Sequence, residues 1–232
     1  MAELSEVELK IYEMFKPICR EIDIDNIGLK KEFRRKVLSA SRFPLGAVRL
    51  VNKTDKYKIY LSYFARKRGD HNRPNIARFG IFETKYGKYA IIWTYPSFYT
   101  IFKPHMFDRY EERMLKNNKF DREHLIIKYI TSESGHIVLK MNDKIEEVYH
   151  CFEGHYDKEG LNYVAANNIG YLFGDIHDDG RLSIIRTIIT EDMLSENQRK
   201  LFPRIKDVYN NQQNSFYESL SNNDIKPIRY IE

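Results

Sequence analysis

Apolar residues recur at helical spacing near the start of the chain. Leu4, Val7, Ile11, Met14, Phe15 and Ile18 predict an amphipathic helix over 4–20, with Ser5 helping to start it. Pro17 predicts a kink or an end near residue 16, because the residue before a proline is pushed out of the helical region. A second helix is expected over 27–40, with Phe33, Val37 and Leu38 on the core side. Lys30, Lys31, Arg34, Arg35 and Lys36 form its wet side. Pro44 and Gly46 then interrupt the chain.

The period next changes to two. A short strand is expected over 46–51 and a longer one over 57–67, with Tyr57, Ile59, Leu61 and Tyr63 on one face. Residues 76–96 read as a hairpin turning at 85–88, where Gly87 supplies the permissive backbone, and Pro96 closes it. Helices follow over 104–116, opened by Pro104, and over 121–131, capped by Asp121. Strands are expected over 136–141, 145–152, 160–165, 168–174 and 181–189, with 174–180 (GDIHDDG) as a turn. Thr190 then caps a C-terminal helical region divided by Pro203 and carrying Ile205, Val208, Tyr209, Phe216 and Leu220 on one side.

Strands and helices come in runs rather than in alternation. This predicts an α+β fold: a largely antiparallel sheet with helices packed on it, and helical segments at both ends. A chain of 232 residues suits one domain over 1–232. A subdivision into 1–132 and 133–232 is the alternative. The second half would then hold the acidic sheet and the C-terminal helices.

Composition adds two things. Tyrosine is abundant, 17 residues beside 14 Phe and one Trp, which favours sheet. The formal charge of +5 resolves into two opposite blocks. Residues 49–89 hold eleven Lys and Arg against Asp55, Asp70 and Glu83, a net +8. Residues 143–179 hold nine Asp and Glu against Lys144 and Lys158, a net -7. The basic block is also rich in rings, among them Tyr57, Tyr60, Phe64 and Tyr86. Cations between rings suit a phosphate backbone and unstacked bases. The candidate nucleic-acid-binding residues are Lys58, Arg66, Lys67, Arg68, Arg73 and Arg78, with 65–74 (ARKRGDHNRP) as a protruding loop. RNA or single-stranded nucleic acid is the expected partner. An alternative is self-association between the basic and acidic halves.

Several chemistries leave no mark. Cys19 and Cys151 stand 132 positions apart and match no thiolate metal site or redox pair, so two reduced thiols in a cytoplasmic protein are expected. The N-terminal stretch lacks the basic start and apolar run of a signal peptide. The longest nearly apolar stretch, 89–95, is too short to span a bilayer, so no membrane partner is expected. Phosphate-loop, dinucleotide, zinc-protease and serine-hydrolase motifs are missing, and no cofactor is expected.

The most suggestive stretch is 104–113, PHMFDRYEER. His105, Arg109 and Arg113 are four apart and share one helix face, while Phe107, Tyr110 and Met114 form a separate apolar stripe. An imidazole beside two guanidiniums suits metal-independent RNA cleavage. The His moves a proton, and the Arg pair holds the phosphate and stabilises its developing charge. Asp108, Glu111 and Glu112 offer the opposite reading, an ordinary ion-paired helix surface. The pattern HxxxRxxxR, followed by the strand RLSIIRTII (181–189), resembles small toxin-like ribonucleases of the RelE/barnase-like superfamily. That resemblance implies a helix packed on an antiparallel sheet, with His105, Arg109 and Arg113 as catalytic residues and Arg186 as a strand-borne arginine.

The leading expectation is therefore a nucleic-acid-interacting protein, with a metal-independent ribonuclease as its catalytic form. It predicts that the His105 face opens into a cleft continuous with the basic sheet. One alternative is a non-enzymatic binding or assembly protein of phage or mobile-element type. Another is a metal-dependent nuclease built from His150, Glu153, His155, Asp157, Asp175, His177, Asp178 and Asp179, although no standard metal-ligand spacing supports it.

Overall fold

A computed structural model describes residues 4–22, 27–94, 98–115, 120–132, 136–139, 162–167, 169–177, 180–194 and 196–201. Two helices, α1 (Glu6–Glu21) and α2 (Ile27–Ser39), precede five strands: β1 (Leu45–Lys53), β2 (Tyr57–Ala65), β3 (Asn75–Thr84), β4 (Gly87–Thr94) and β5 (Phe98–Phe102). Two helices follow, α3 (Pro104–Met114) and α4 (Arg122–Ser132). Then come β6 (Ile137–Leu139), β7 (Asn162–Ala166), β8 (Tyr171–His177), β9 (Leu182–Ile189) and a short α5 (Glu196–Leu201).

The nine strands of the described residues form one sheet in the order β1-β2-β3-β4-β5-β9-β8-β7-β6. Each half is an antiparallel meander. The two halves meet at a parallel pair, with Tyr99 opposite Leu182 and Phe102 opposite Ile185. The fold is α+β with a mostly antiparallel sheet, as the runs of like elements predict. The sheet is continuous on either side of residues 132 and 133.

Helices cover both faces. Alternate residues of a strand point to opposite sides, and the burial follows that rule except across the bulge of β9, where Ile185 and Ile188 share a side. Ile59, Phe82, Ile91, Tyr99, Ile101 and Ile184 pack with Ile11, Tyr12, Phe15 and Cys19 of α1. Further along β2 on that same side, Leu61, Tyr63 and Ala65 pack with Leu29, Phe33 and Val37 of α2. On the opposite side, Tyr60, Phe79, Ile92, Phe102, Ile185 and Ile188 pack with Phe107 and Tyr110 of α3 and Leu125, Ile126 and Tyr129 of α4. Among the described residues, no helix is long and apolar enough to cross a membrane.

Local chemistry explains the ends of these elements. Ser5 Oγ accepts the Glu8 amide at 3.3 Å while Glu8 Oε2 accepts the Ser5 amide at 3.1 Å, a reciprocal cap that satisfies two amides of α1. Pro104 opens α3, and Asp121 Oδ2 accepts the amides of Glu123 and His124 at the start of α4. Gly87 sits at φ +110° and closes the β3–β4 hairpin.

Several boundaries differ from expectation. Pro17 does not end α1, which runs to Glu21. The missing amide costs one hydrogen bond, and the burial of Phe15 and Cys19 on either side holds the last turn. Leu38 is exposed rather than buried. Position 37 already fills the core side of that turn, and Leu38 is rotated about 100° away from it. β1 extends to nine residues. β8 continues through Asp175 and His177, so the polar stretch at 174–177 is strand and not turn. A bulge where Gly174 passes Ile184 and Ile185 accommodates it: a Cβ at Gly174 would lie 1.8 Å from the Ile184 carbonyl oxygen. β5 had no counterpart in the strand pattern. The strands expected over 145–152 and the helix beyond Pro203 lie outside the described residues.

Candidate functional site

The topology divides the basic block. β2 and β3 span about 30 Å between their two ends. Arg66, Lys67, Arg68 and Arg73 belong to the β2–β3 loop at one end. Lys56 lies in the β1–β2 turn and Lys85 in the β3–β4 turn at the other. Between them, Lys58 is held by Glu123 of α4, with Nζ 2.5 Å from Oε2. The Tyr60 hydroxyl donates to the other oxygen of Glu123, also at 2.5 Å. Burial and that carboxylate push the Tyr60 phenol well up. Arg78 is 7% exposed; its guanidinium lies 4.2 Å from the Trp93 ring centroid and donates to the Ile22 carbonyl. Arg78 thus clamps the end of α1 to the sheet and does not share the exposed basic surface.

The loop end is reinforced from elsewhere in the chain. Arg68 Nη2 donates to the Ala40 carbonyl at 2.9 Å, docking the loop beside the C-terminal end of α2. Leu29, Phe33 and Val37 occupy one side of α2, and their burial against β2 turns Lys31, Arg34 and Arg35 to solvent. Across 27–45 and 65–74, ten Lys and Arg stand against two acids, Glu32 and Asp70. Both acids are engaged locally. Glu32 pairs with Lys36 at 2.9 Å, and Asp70 Oδ2 accepts the Arg66 and Lys67 amides at 2.7 and 3.2 Å. His71 Nδ1 lies 3.0 Å from the Arg68 carbonyl oxygen, so it is the protonated nitrogen of that contact. The loop is therefore built on internal bonds that aim its cations outward. Sequence reasoning placed the α2 cations on a wet face but did not join them to the loop, a step that needs the Arg68–Ala40 contact.

The α3 stripe is differently furnished. His105 is exposed and Arg109 half-buried, with Arg109 Nε 3.4 Å from His105 Nε2. Arg109 also pairs with Glu112 at 2.6 Å. Arg113 donates to the Ile188 carbonyl of β9. Burial, with Arg109 nearby, pulls its pKa below the ordinary arginine value. Arg122 of α4 reaches Asp108 at 2.5 Å and Glu111 at 3.7 Å.

Arg186 is not brought to this stripe. It pairs at 2.6 Å with Asp175, which stands opposite Ile184 on the α1 side of the sheet. A second ion pair lies on that side. Lys103, at the N-cap of α3, meets the buried Glu8 at 2.7 Å. Burial alone would raise the Glu8 carboxyl, but Lys103 and Ser5 outweigh it and hold it below its ordinary value. At Asp175, which is 2% exposed, burial wins over Arg186 and the carboxyl is pushed up. Burial likewise lowers His177, against the pull of Asp175 and Glu8. Cys19 is buried, and its thiol is pushed up to about 12.

Of the residues considered for a metal site, only Asp175 and His177 are described. Among the described residues, no three His, Cys, Asp or Glu come together as a metal site. A polar cavity of about 230 Å³ lies between the β7–β8 turn and the segment after β9, lined by Asn167, Tyr171, Thr190, Glu191 and Asp192, among others. It contains none of the expected site residues.

No protein-family model, curated protein or solved structure matches the chain.

Proposed function

We propose that the chain binds nucleic acid, with α2 and the 65–74 loop as its phosphate-contacting surface. One observation carries the reading. Two elements joined by the Arg68–Ala40 bond concentrate nine cations, and their two acids are engaged locally. Cations on a fixed scaffold release counterions when they meet a phosphate backbone, so affinity from this surface depends steeply on salt. Arg186 and Arg78 have structural partners and take no part. Lys58, paired with Glu123, contributes little.

Cleavage of RNA at α3 is a second reading. It is favoured by the exposed His105, whose Nε2 faces an Arg109 N–H and so carries a lone pair. In this reading Arg109 turns from His105 to the phosphate, and the Nε2 lone pair so released accepts the proton of a ribose 2′-hydroxyl. The resemblance to toxin-like ribonucleases supports it at His105, Arg109 and Arg113.

Both readings meet one experiment. Binding of 20-nucleotide and 20-base-pair probes is titrated from 50 to 200 mM salt, and the probes are then run for cleavage with and without chelator. The expected result is salt-dependent binding, which the triple variant Lys31→Glu/Arg34→Glu/Arg35→Glu weakens by roughly a hundredfold at low salt. The log–log salt slope should flatten by about 3. No binding at 50 mM salt would overturn the proposal. Cleavage that survives chelator and vanishes in His105→Ala would support the second reading. Cleavage unaffected by His105→Ala, or no cleavage, would overturn it.

A further inference from the structure

The expectation of a single-stranded partner rested on rings interleaved with cations. The structure separates the two. Tyr60, Tyr63, Phe79, Phe82 and Tyr89 of the basic block are buried. Phe33 is the one Phe, Tyr or Trp on α2, and the 65–74 loop carries none. Phe33 is 1% exposed and tilts against buried Tyr63 with centroids 5.5 Å apart. Tyr86 is 61% exposed, but it sits at the opposite end of the β2–β3 hairpin under Lys85.

From this we infer, on the basis of the proposed nucleic-acid binding, that the partner is a double-stranded nucleic acid gripped by its phosphates, not an unpaired strand. The physical reason lies in what each form offers. Binding of a single strand gains about 1–3 kcal/mol per base from stacking on exposed rings, and this surface presents no exposed ring: the two that border it, Phe43 and Phe64, are half-buried. What remains is charge. A duplex carries about one phosphate per 1.7 Å of axis, and each neutralised phosphate contributes a slope of about 0.9, against about 0.7 for a single strand. A surface of cations without rings therefore favours the duplex.

The scaffold points the same way. The exposed cations Lys31, Arg34 and Arg35 of α2 span about 6 Å of helix axis. Beside them stands a loop pinned by Asp70, by His71 and by the Arg68–Ala40 bond. Two pre-formed rows of cations match a partner whose phosphates are themselves fixed in space, and neither side loses much freedom on contact. Recognition of this kind is through the backbone and carries little base sequence.

The test is a binding panel on the full chain: one sequence as DNA duplex, RNA duplex, single-stranded DNA and single-stranded RNA, each of 20 units, at 100 mM salt. The expected result is at least tenfold tighter binding to a duplex than to its separate strands. The two duplex arms show whether the DNA or the RNA backbone is preferred. The Lys31→Glu/Arg34→Glu/Arg35→Glu variant should lose duplex binding while keeping its circular dichroism and melting temperature. Tyr86→Ala should change no arm by more than twofold. Single strands bound as tightly as the duplexes, or a tenfold loss of single-strand binding in Tyr86→Ala, would overturn the inference and leave nucleic-acid binding intact. Failure of all four probes to bind would overturn both.

Discussion

α2 and α3 are both short amphipathic helices, and they lie on opposite faces of the same sheet. Their surfaces differ in both signs of charge: α2 carries five Lys and Arg and one acid, α3 two Arg and three acids. On α3, Glu112 pairs with Arg109, and Asp108 and Glu111 are shared with Arg122 of the next helix. On α2, Glu32 is the one acid, and it holds one lysine. The result is a neutralised helix surface in one place and a strongly positive one in the other. The balance of cations against local counter-charge decides where a polyanion is attracted.

This contrast can be broken at the seat of α2. Phe33→Ala opens a cavity beneath the helix against Tyr63 and should cost about 3–5 kcal/mol of stability. The loss should appear as a lower melting temperature, with nucleic-acid affinity falling too as α2 loses its fixed position. An unchanged melting temperature would mean that α2 is not seated on β2 as described.

α3 has its own anchor, the Glu8–Lys103 pair that ties its N-cap to α1, and pH tests it. The folded Glu8 carboxyl lies below the ordinary value of 4.5, so its stabilisation is fully present above that value. It is lost as pH falls through the folded value. Asp175 runs the other way: its raised pKa gives a contribution present below the ordinary aspartate value and lost as pH rises through the folded value. His177, held low, adds stability above 6.5 that fades on acidification. Glu8→Gln should lower stability by about 2 kcal/mol at pH 7 and flatten the acid limb of the melting-temperature profile. An acid limb as steep as the parent's would place the sensitivity elsewhere.

The smallest effect sharpens the comparison directly. Replacing the α3 acids, Asp108→Asn/Glu111→Gln/Glu112→Gln, should turn that helix net positive and raise affinity for a duplex roughly threefold, an effect that 200 mM salt should largely erase. A surface indifferent to the change would show that its acids are not what keeps nucleic acid away.

The amino-acid sequence by itself determined the local elements. Ser5 with Glu8, Pro104, Asp121 and Gly87 act within a few residues, and periodicity exposes the core faces of α1, α2 and β2. Runs of like elements were enough for the α+β class. The stripe His105, Arg109 and Arg113 was legible too, since spacing on one helix needs no partner. What the sequence could not determine depends on contacts between distant residues. β5 is five residues without a clear alternation, and it is a strand because β9, about 80 residues later, pairs with it. Arg186 looked available for a site until Asp175 was found against it. The rings among the basic residues looked like a stacking platform, but they alternate along strands whose two faces are both covered by helices. Joining the α2 cations to the loop takes one guanidinium–carbonyl bond across 28 residues. Charge and ring content are written in the sequence; which of them meets solvent is settled by packing, because burial and pairing belong to the folded chain.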